Sequence, residues 1–387
     1  MFPLSPDEQA WFWVLAAPSL AVLAMVLFNL AVWPRGRAKG RIAGRVSVCI
    51  PARNEARNIV TCVRAALAGT QRPDEVLVYD DGSTDGTGEV LERLCETERA
   101  LRVVRGDELP PGWLGKPWAC HRLWEEAAGD VLVYLDADTV PTPTCLARLG
   151  WVLEHWKADF LTATPRQATG TLTEQAVVPL LDLRFLVWPL PLVWHARSPR
   201  IRVTSGQIMA VRREALEKAG GWEAAAAEVA DDAAMAKRVK ETGGRVVYAQ
   251  GQNLASGRLF EGRSDLWLGL SKIFYHRLVR RPVLLVLALL LCAALFAPYV
   301  GLYQAVVGGW KVLLWPSLVG VAANVALRAA TAFRLRQSSN GILLHPFGLI
   351  WIFFIALNSF RLSRRGTLDW RGRKYSLRGR IADAESL

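Results

Sequence analysis

The sequence predicts an α/β fold: one globular domain on a mainly parallel, Rossmann-like sheet, with transmembrane helices on its N- and C-terminal sides. Strand-like apolar runs alternate with helical patterns at βαβ spacing roughly between residues 45 and 260, and long apolar stretches lie before and after that region. A chain of 387 residues with 52% hydrophobic content has room for a domain of about two hundred residues plus membrane segments.

Two transitions from strand to polar turn open the domain. Residues 45–51 (R-V-S-V-C-I-P) form a β-branched run that ends at a proline, and residues 52–58 begin a helical pattern. Residues 75–79 (E-V-L-V-Y) repeat the strand pattern and lead into D-D-G-S-T-D-G-T at 80–87, a composition that suits a tight turn. This alternation predicts parallel strands with acidic groups at their carboxyl ends.

Two carboxylates end a further, purely apolar run at residues 131–140 (V-L-V-Y-L-D-A-D-T-V). Such a run predicts a buried strand, so Asp136 and Asp138 are expected at the sheet edge where open α/β folds bind ligands. In an extended segment the two side chains point the same way, and such oxygen pairs hold Mg²⁺ or Mn²⁺ together with substrate phosphates. The alternative is a solvated loop after a strand.

Four segments in a fixed order carry a family resemblance. They are V-S-V-C-I-P-A-R-N-E, V-Y-D-D-G-S-T-D-G-T, L-D-A-D-T and T-S-G-Q-I-M-A-V-R-R-E-A-L-E-K-A-G-G-W. They resemble the motifs of inverting, GT-A-fold nucleotide-sugar glycosyltransferases of family 2, which include cellulose and hyaluronan synthases, dolichyl-phosphate sugar synthases and ceramide glucosyltransferase. Residues 112–120 (G-W-L-G-K-P-W-A-C) and 370–375 (W-R-G-R-K-Y) most resemble membrane-bound bacterial enzymes that glycosylate carotenoids or accompany hopanoid synthesis.

The resemblance implies a GT-A catalytic domain with a site for a nucleotide-sugar donor. That site would contain Pro51, Arg53, Asn54, Glu55, Asp80, Asp81, Lys116, Asp136 and Gly206. Asp81 would accept a hydrogen bond from the base, with Asp80 as its neighbour. Asp138 would ligate the metal, helped by Asp136, which also faces the sugar or ribose; the cation stabilises charge on the leaving diphosphate. Lys116 would add a second cation, or else is a solvated surface lysine.

A later acidic cluster supplies the predicted catalytic base. Residues 228–232 (E-V-A-D-D) precede a helical pattern, and similar enzymes carry an acidic pair here whose second member is the base. The resemblance therefore assigns Asp232 as the base, with Asp231 as its acidic neighbour, since adjacent acids raise one another's pKa. The alternative role for Asp232 is a helix N-cap.

The resemblance departs from the processive synthases after the base. Those enzymes and ceramide glucosyltransferase carry a Gln/Arg-x-x-Arg-Trp motif, whereas residues 263–272 (R-S-D-L-W-L-G-L-S-K) keep only a tryptophan and cations. Synthesis of a long polymer is therefore disfavoured. Trp222, Trp267 and Lys272 are the predicted acceptor residues. For the last two, an interfacial tryptophan with a snorkelling lysine is the alternative.

Apolar runs outside the domain predict its attachment to a membrane. Residues 11–33 are long enough to span a bilayer, and the basic residues of 34–41 place the domain after them in the cytoplasm. A cleaved signal peptide is the alternative, but the start of the chain is not basic and the run is too long. The predicted divisions are an anchor with its basic flank at 1–41, a cytoplasmic domain at 42–275 and membrane segments with a basic tail at 276–387.

Three apolar stretches lie beyond the domain, at 282–307, 312–333 and 342–360. Three full spans would place the C-terminus outside the cell, yet the tail after them is rich in arginine, which is a cytoplasmic signature. The stretch at 342–360, interrupted by His345-Pro346 and Gly348, is therefore predicted to be re-entrant or interfacial. The alternative is that the charge rule fails in this chain.

An apolar, proline-containing segment also lies inside the domain, at residues 174–195. It is too interrupted to span, and Trp188 and Trp194 favour an interfacial element that admits a lipid acceptor. The alternative is a helix packed on the domain core.

Together these patterns predict the transfer of a hexose, with inversion, from a UDP-sugar such as UDP-glucose to a membrane lipid such as a carotenoid or another polyprenoid, at the cytoplasmic membrane. The net charge of +12 flanks apolar segments, so anionic lipid is the expected partner and nucleic acid is not. The 6 cysteines and 5 histidines show no metal-binding spacing. The alternatives are a ceramide or diacylglycerol glycolipid synthase, a processive polysaccharide synthase and a non-catalytic membrane scaffold.

Overall fold

The computed structural model describes residues 6–274, 282–363, 367–370 and 373–376. The chain forms two compact units that alternate along the sequence. The first contains Met1–Val32, Thr169–Pro189 and Phe260–Gly366, and the second contains Trp33–Ala168, Leu190–Leu259 and Thr367–Leu387.

The strands among the described residues are, in chain order, β1 Val46–Ala52, β2 Glu75–Asp80, β3 Leu101–Arg105, β4 Val131–Leu135, β5 Thr139–Pro141, β6 Phe160–Gln167, β7 Ile208–Arg212, β8 Val246–Gly257, β9 Thr367–Trp370 and β10 Arg373–Ser376. The helices are α1 Pro6–Leu15, α2 Ala17–Val32, α3 Ile59–Leu67, α4 Thr87–Thr97, α5 Gly115–Glu126, α6 Cys145–His155, α7 Leu172–Val177, α8 Leu180–Leu186, α9 Pro191–His195, α10 Arg213–Lys218, α11 Asp231–Glu241, α12 Arg263–Phe274, α13 Pro282–Val306, α14 Leu314–Leu335, α15 Asn340–Leu343 and α16 His345–Ser363.

The second unit is built on a mixed sheet. Over the described residues the sheet has 8 strands in the order β3-β2-β1-β4-β7-β6-β8-β5. Strands β1 to β4 run parallel to one another, as the βαβ spacing predicts. Strand β7 is antiparallel to both β4 and β6. Strand β8 pairs with β6 in parallel and with β5 in antiparallel fashion. Four of the seven strand pairings in this sheet, as described, are parallel, so the prediction of a mainly parallel sheet is confirmed, and the antiparallel pairings lie in its second half.

The register of the parallel strands brings three loops to one edge. Pro51 pairs with Tyr79 and Ala52 with Asp80, so β1 and β2 end level with each other. Strand β4 runs parallel to β1 on its other side and ends at Leu135. The loops after these strands carry the predicted donor residues, and they leave from the edge at which open α/β sheets bind ligands.

The core behind this edge contains Trp222. Its Nε1 donates a hydrogen bond to Tyr134 Oη at 2.9 Å, and the two rings meet edge to face with centroids 5.0 Å apart. Trp222 is only 1% exposed. The prediction that Trp222 contacts an acceptor is therefore wrong, because no face of the indole remains for a ligand to stack on.

The first unit carries the candidate membrane spans. Among the described residues, Val283–Val306, Lys311–Leu335 and His345–Leu362 are long and apolar enough to cross a bilayer, and they match the three predicted stretches. The predicted stretch at 342–360 is interrupted near His345, because α15 ends at Leu343 and α16 begins at His345. Pro346 lies in the first turn of α16, where a missing N–H costs no hydrogen bond, and the helix continues through Gly348. The re-entrant or interfacial placement of this stretch stays a prediction. The tail residues 364–366, 371–372 and 377–387 lie outside the described residues.

The N-terminal run is broken where the sequence predicts one anchor. Helices α1 and α2 meet the criteria for a span only as a pair, and they are bent by 46°. Pro18, which cannot donate a backbone hydrogen bond, follows the break. Trp33 belongs to the second unit, since its ring stacks on Tyr248 at 5.4 Å and its Nε1 donates to Tyr248 O at 3.2 Å.

The apolar segment at 174–195 is divided between the two units. Helix α8 is buried in the first unit along most of its length, and Asn29 Nδ2 donates to the carbonyls of Leu186 and Trp188 there, at 2.6 Å each. Trp188 remains 54% exposed, so its interfacial role stays a prediction. Trp194 is buried against Trp156, which contradicts its interfacial role.

A buried charge network explains the polar residues within α14. Arg328 is fully buried, and its Nη1 donates to Thr331 Oγ1 at 3.1 Å and to Gln337 Oε1 at 3.4 Å. Gln337 Nε2 in turn donates to the buried Asp182 Oδ2 at 2.7 Å. The Gln337 amide thus connects Arg328 to Asp182. Each of these buried charges would cost folding free energy without a polar partner, and the network offsets that cost.

This network gives a stability prediction. Arg328→Met and Asp182→Asn should each lower the free energy of unfolding in detergent, Arg328→Met by about 2 kcal/mol because it removes a buried charged hydrogen-bond donor and one of the two arginines that offset the Asp182 carboxylate, the other being Arg184. The double variant should lose less than the sum of the two changes. Arg361→Met, which removes an exposed arginine of α16, is the control. Additive losses would show that the two charges are not coupled.

Candidate active site

The loops after β1 and β2 are joined by a charged contact. Arg53 Nη1 donates to Asp81 O at 2.5 Å and lies 3.5 Å from Asp81 Oδ2. Asn54, with a φ of 56°, accepts a hydrogen bond from Thr84 N at 2.8 Å and donates its N–H to Ser83 Oγ at 2.9 Å. The structure thus brings together the base-binding residues that the sequence predicts.

Asp80 and Glu55 shape these loops. Asp80 Oδ1 accepts hydrogen bonds from Ser83 N at 3.1 Å and Ser83 Oγ at 2.5 Å. This carboxylate oxygen therefore stabilises the turn from Asp80 to Ser83. Glu55 is buried, and its Oε2 accepts a hydrogen bond from Asn58 Nδ2 at 2.8 Å. A Cβ on Gly106 would lie 2.5 Å from Asp80 O, so only glycine permits this approach of the strand ends.

The D-A-D segment is a turn, not the extended chain that the sequence predicts. Thr139 N donates to Asp136 O at 2.9 Å, which closes a turn over Asp136 to Thr139. Thr139 Oγ1 donates to Asp138 Oδ1 at 3.4 Å. The prediction of an extended segment is therefore wrong, and the positions of the Asp136 and Asp138 side chains depend on the turn.

Lys116 joins the two acidic regions of the site. Its Nζ lies 2.6 Å from Asp136 Oδ1 and 3.9 Å from Asp231 Oδ2, and it donates to Gly206 O at 3.2 Å. A Cβ on Gly206 would lie 3.3 Å from this ammonium and 3.7 Å from Asp232 Cβ, so Gly206 backs directly onto the cluster. Lys116 is therefore part of the site and is not the solvated surface lysine of the alternative.

The charges of the cluster shift its pKa values. Burial alone would lower the pKa of the Lys116 ammonium, but the carboxylates of Asp136 and Asp231 outweigh it and raise that pKa above its usual range. Burial raises the pKa of Asp231 to about 6; Lys116 opposes the rise, and the Asp232 and Asp136 carboxylates add to it. The ammonium thus keeps its charge, and Asp231 binds a proton more readily than an exposed aspartate.

Asp231 and Asp232 form the first turn of α11. Ala230 occupies the N-cap position, so the N-cap alternative for Asp232 is wrong. Asp231 Oδ1 accepts a hydrogen bond from Asp232 N at 2.9 Å, while its buried Oδ2 has no hydrogen bond and faces Lys116. Both carboxylates are buried, and a helix N-terminus favours their charged forms.

The carboxylates of the D-A-D turn suit a hard divalent cation that takes its remaining ligands from outside the protein. In the described part of the chain, no three His, Cys, Asp or Glu side chains are arranged to hold a metal. Asp136 and Asp138 offer carboxylate oxygens, and Mg²⁺ or Mn²⁺ commonly completes such a shell with substrate phosphates and water. Burial raises the pKa of the nearby Cys62 thiol, and the Asp138 and Asp136 carboxylates add to the rise.

Gln207 belongs to the site although the sequence analysis does not select it. Its carbonyl accepts a hydrogen bond from Asp136 N at 3.2 Å, and its side-chain Oε1 accepts one from Gln167 Nε2 at 2.9 Å. Its own Nε2 is buried with no partner among the described residues. The only feature in the sequence that points to Gln207 is its position directly after Gly206. A neutral amide side chain does not form part of a charge pattern.

The other predicted acceptor residues lie in the first unit. Trp267 and Lys272 are on α12, where the Trp267 ring meets Trp351 edge to face at 5.4 Å. Arg263 places its guanidinium over the same Trp351 ring at 4.7 Å, and Leu268 is 57% exposed. Their role towards an acceptor stays a prediction.

Residues 47–220, which contain the strand-end loops, Lys116 and Gly206, match the family described as Glycosyl transferase family 2. This part of the chain is therefore similar to a glycosyltransferase family 2 domain. The probable glycosyltransferase YdaM of Bacillus subtilis is 28% identical over 219 residues, which cover 54% of this chain and 50% of YdaM. A 4,4'-diaponeurosporenoate glycosyltransferase of Staphylococcus haemolyticus is 30% identical over 102 residues, 26% of this chain and 26% of that protein.

The matched region spans half or less of the length of these curated relatives. Among solved structures, the mannosyltransferase PcManGT from Pyrobaculum calidifontis, in complex with GDP-Man and Mn²⁺, is 20% identical with a TM-score of 0.50. The comparison covers 91% of this chain and 98% of that one. This likeness shows that the fold is of the GT-A type, as the sequence predicts.

The cluster gives a pH-dependent stability prediction. Lys116→Met should lower the melting temperature in EDTA more at pH 7.5 than at pH 5, because the neighbouring carboxylates repel one another when ionised. At pH 5 Asp231, with a pKa of about 6, holds a proton in the folded state. The loss of the ammonium then exposes less repulsion between the carboxylates than it does at pH 7.5. Lys116→Arg, which keeps the charge, is the control. Equal losses at both pH values would show that the ammonium does not neutralise the cluster.

Proposed function

We propose that this protein is an inverting glycosyltransferase of the cytoplasmic membrane. It transfers a hexose, most simply glucose from UDP-glucose, to a hydroxyl or carboxyl group of a membrane lipid such as a carotenoid or another polyprenoid. The observation that carries the proposal is the Lys116 ammonium, 2.6 Å from Asp136 and 3.9 Å from Asp231. One cation connects the loop suited to the donor phosphates with the helix turn that holds the candidate base.

The nucleotide would bind across the loops after β1 and β2. Asp81 would accept a hydrogen bond from the base, with Arg53 fixing its carboxylate, while Pro51, Asn54 and Glu55 would complete the walls. Lys116 would turn from Asp136 towards the diphosphate, because a phosphate competes well for an ammonium. The unpartnered Nε2 of Gln207 offers a further donor to a sugar or phosphate oxygen.

Asp138 and Asp136 would hold Mg²⁺ or Mn²⁺ together with the diphosphate. The cation supplies charge stabilisation to the departing phosphate oxygens. The mannosyltransferase with the same type of fold was solved with Mn²⁺ and a nucleotide sugar, which supports this choice. Lys116 contributes a second positive charge beside the Asp136 carboxylate.

Asp232 would act as the general base. It would take the proton from the acceptor oxygen as that oxygen attacks the anomeric carbon on the face opposite the diphosphate, so the configuration inverts. Lys116 and Asp231 would orient and tune this carboxylate. The buried position of Asp232 favours the role, since a partly desolvated carboxylate is a stronger base than one in water.

Three features support a lipid acceptor. The chain carries three candidate spans among its described residues, α12 exposes Leu268 beside Trp267 and Lys272, and Trp188 is exposed in an apolar segment. Relatives named as diaponeurosporenoate and undecaprenyl-phosphate transferases also point to polyprenoid chemistry. A ceramide or diacylglycerol acceptor would use the same site with a different apolar pocket.

The base assignment gives a kinetic prediction. Asp232→Asn should still bind UDP and Mn²⁺, while the transfer rate falls by at least about 10²-fold because only proton abstraction is lost. Asp231→Asn, the matched neighbour, should lose less. Single-turnover transfer and calorimetric UDP binding separate the two effects. If Asp231→Asn were the more damaging change, the base would be Asp231.

The acceptor class is tested with purified enzyme, UDP-glucose and separate pools of carotenoid, hopanoid, sphingolipid, diacylglycerol and soluble oligosaccharide. Mass spectrometry should find glucose on the carotenoid or polyprenoid pool, with a β-linkage by NMR because transfer inverts an α-configured donor. Product in the sphingolipid or diacylglycerol pool would support the glycolipid alternative. Product confined to the oligosaccharide pool would exclude a lipid acceptor, and an α-linkage would exclude inversion.

A further inference from the structure

We propose that residues 192–201 form a preformed docking surface for an anionic membrane, held in shape by Lys240. This role is separate from sugar transfer, because it concerns how the catalytic unit contacts lipid and uses none of the donor, metal or base residues. The segment begins within α9 and continues into the loop before β7, and it belongs wholly to the second unit.

Lys240 fixes the segment through its main chain. The Nζ of this buried lysine donates to the carbonyl oxygens of Val193 at 2.7 Å, Ala196 at 3.0 Å and Ile201 at 2.5 Å. An ammonium has three N–H donors, and each is used on a residue about forty positions away along the chain. Without Lys240, these three carbonyls would bind water. The lysine therefore attaches both ends of the 192–201 segment to α11.

The fixed segment presents apolar and cationic side chains to solvent. Leu192 is 47% exposed and Ile201 37% exposed, and Arg197 and Arg200 between them are exposed as well. Within the described chain, no carboxylate lies within ion-pair distance of either arginine. The sequence has no Asp or Glu from residue 183 to residue 213, so the positive charge is uncompensated locally.

This chemistry fits the surface of an anionic bilayer. Large aliphatic side chains insert at the boundary between headgroups and acyl chains, while arginines bind lipid phosphates beside them. The segment also follows, in sequence, the exposed Trp188, a residue type enriched at membrane interfaces. The candidate spans in the same chain keep a bilayer available to it.

A fluorescent probe tests the contact directly. Full-length protein with Ile201→Cys is labelled with bimane, in a background where the half-buried Cys95 and Cys292 are serine, and placed in nanodiscs. Brominated lipid chains should quench the probe more strongly in an equal mixture of phosphatidylcholine and phosphatidylglycerol than in phosphatidylcholine alone. Quenching that is absent, or equal in the two lipids, would overturn the proposal.

Charge variants test the arginines. Arg197→Gln and Arg200→Gln should each lower the ratio of docked to undocked segment in the anionic nanodiscs about fivefold. Arg99→Gln removes an exposed arginine elsewhere in the same unit and should leave quenching unchanged. A loss of quenching with all three variants would mean that net charge, not this surface, drives the contact, and would overturn the proposal.

Limited proteolysis tests the clamp. Lys240→Met leaves three carbonyls without their donor, so trypsin should cleave after Arg197 and Arg200 about tenfold faster than in the unchanged protein. Lys237→Met, an exposed lysine on the same helix, is the matched control, and cleavage after Arg99 reports any general loosening. Unchanged cleavage would show that Lys240 does not shape the segment. These assays use no nucleotide, metal or acceptor, so their outcome is independent of the proposed sugar transfer.

Discussion

The Lys116 ammonium is the interaction on which the rest of the site depends. It contacts Asp136 after β4, the Gly206 carbonyl before β7 and Asp231 at the start of α11, three places far apart in sequence. Three buried or half-buried carboxylates close together would repel one another strongly, and the ammonium offsets that cost. The same charge therefore stabilises the fold and sets the distance between the donor loop and the base helix.

The sheet supplies the frame for this contact. Parallel pairing of β1 with β2 and β4 brings the loops after Ala52, Asp80 and Leu135 to one edge. Hydrogen bonds between those loops, such as Thr84 N to Asn54 Oδ1 and Arg53 Nη1 to Asp81 O, then fix their shapes. A binding surface assembled this way is positioned by strands and loses little entropy when a ligand arrives.

Features with a local signal could be predicted from the sequence, and features set by distant contacts could not. The apolar runs of β1, β2 and β4 and the three C-terminal candidate spans could be located directly from composition. The burial of Trp222 depends on Tyr134, which is 88 residues away, and the direction of β7 depends on a connection that passes through two units. Lys240 is one of two lysines on α11, and no sequence feature marks its three carbonyl partners.

The central claim is that the D-A-D turn and Lys116 form one site that binds a divalent cation and a nucleotide diphosphate together. Calorimetric titration of Mn²⁺ into the purified protein, with and without saturating UDP, tests it most directly. Because Asp136 and Asp138 supply only part of a metal shell, Mn²⁺ should bind weakly alone and much more tightly with UDP, and UDP should gain affinity from Mn²⁺ by the same factor. The coupling should disappear in Asp138→Ala while the protein stays folded. Equal Mn²⁺ affinity in the presence and absence of UDP, or full coupling in Asp138→Ala, would contradict the account.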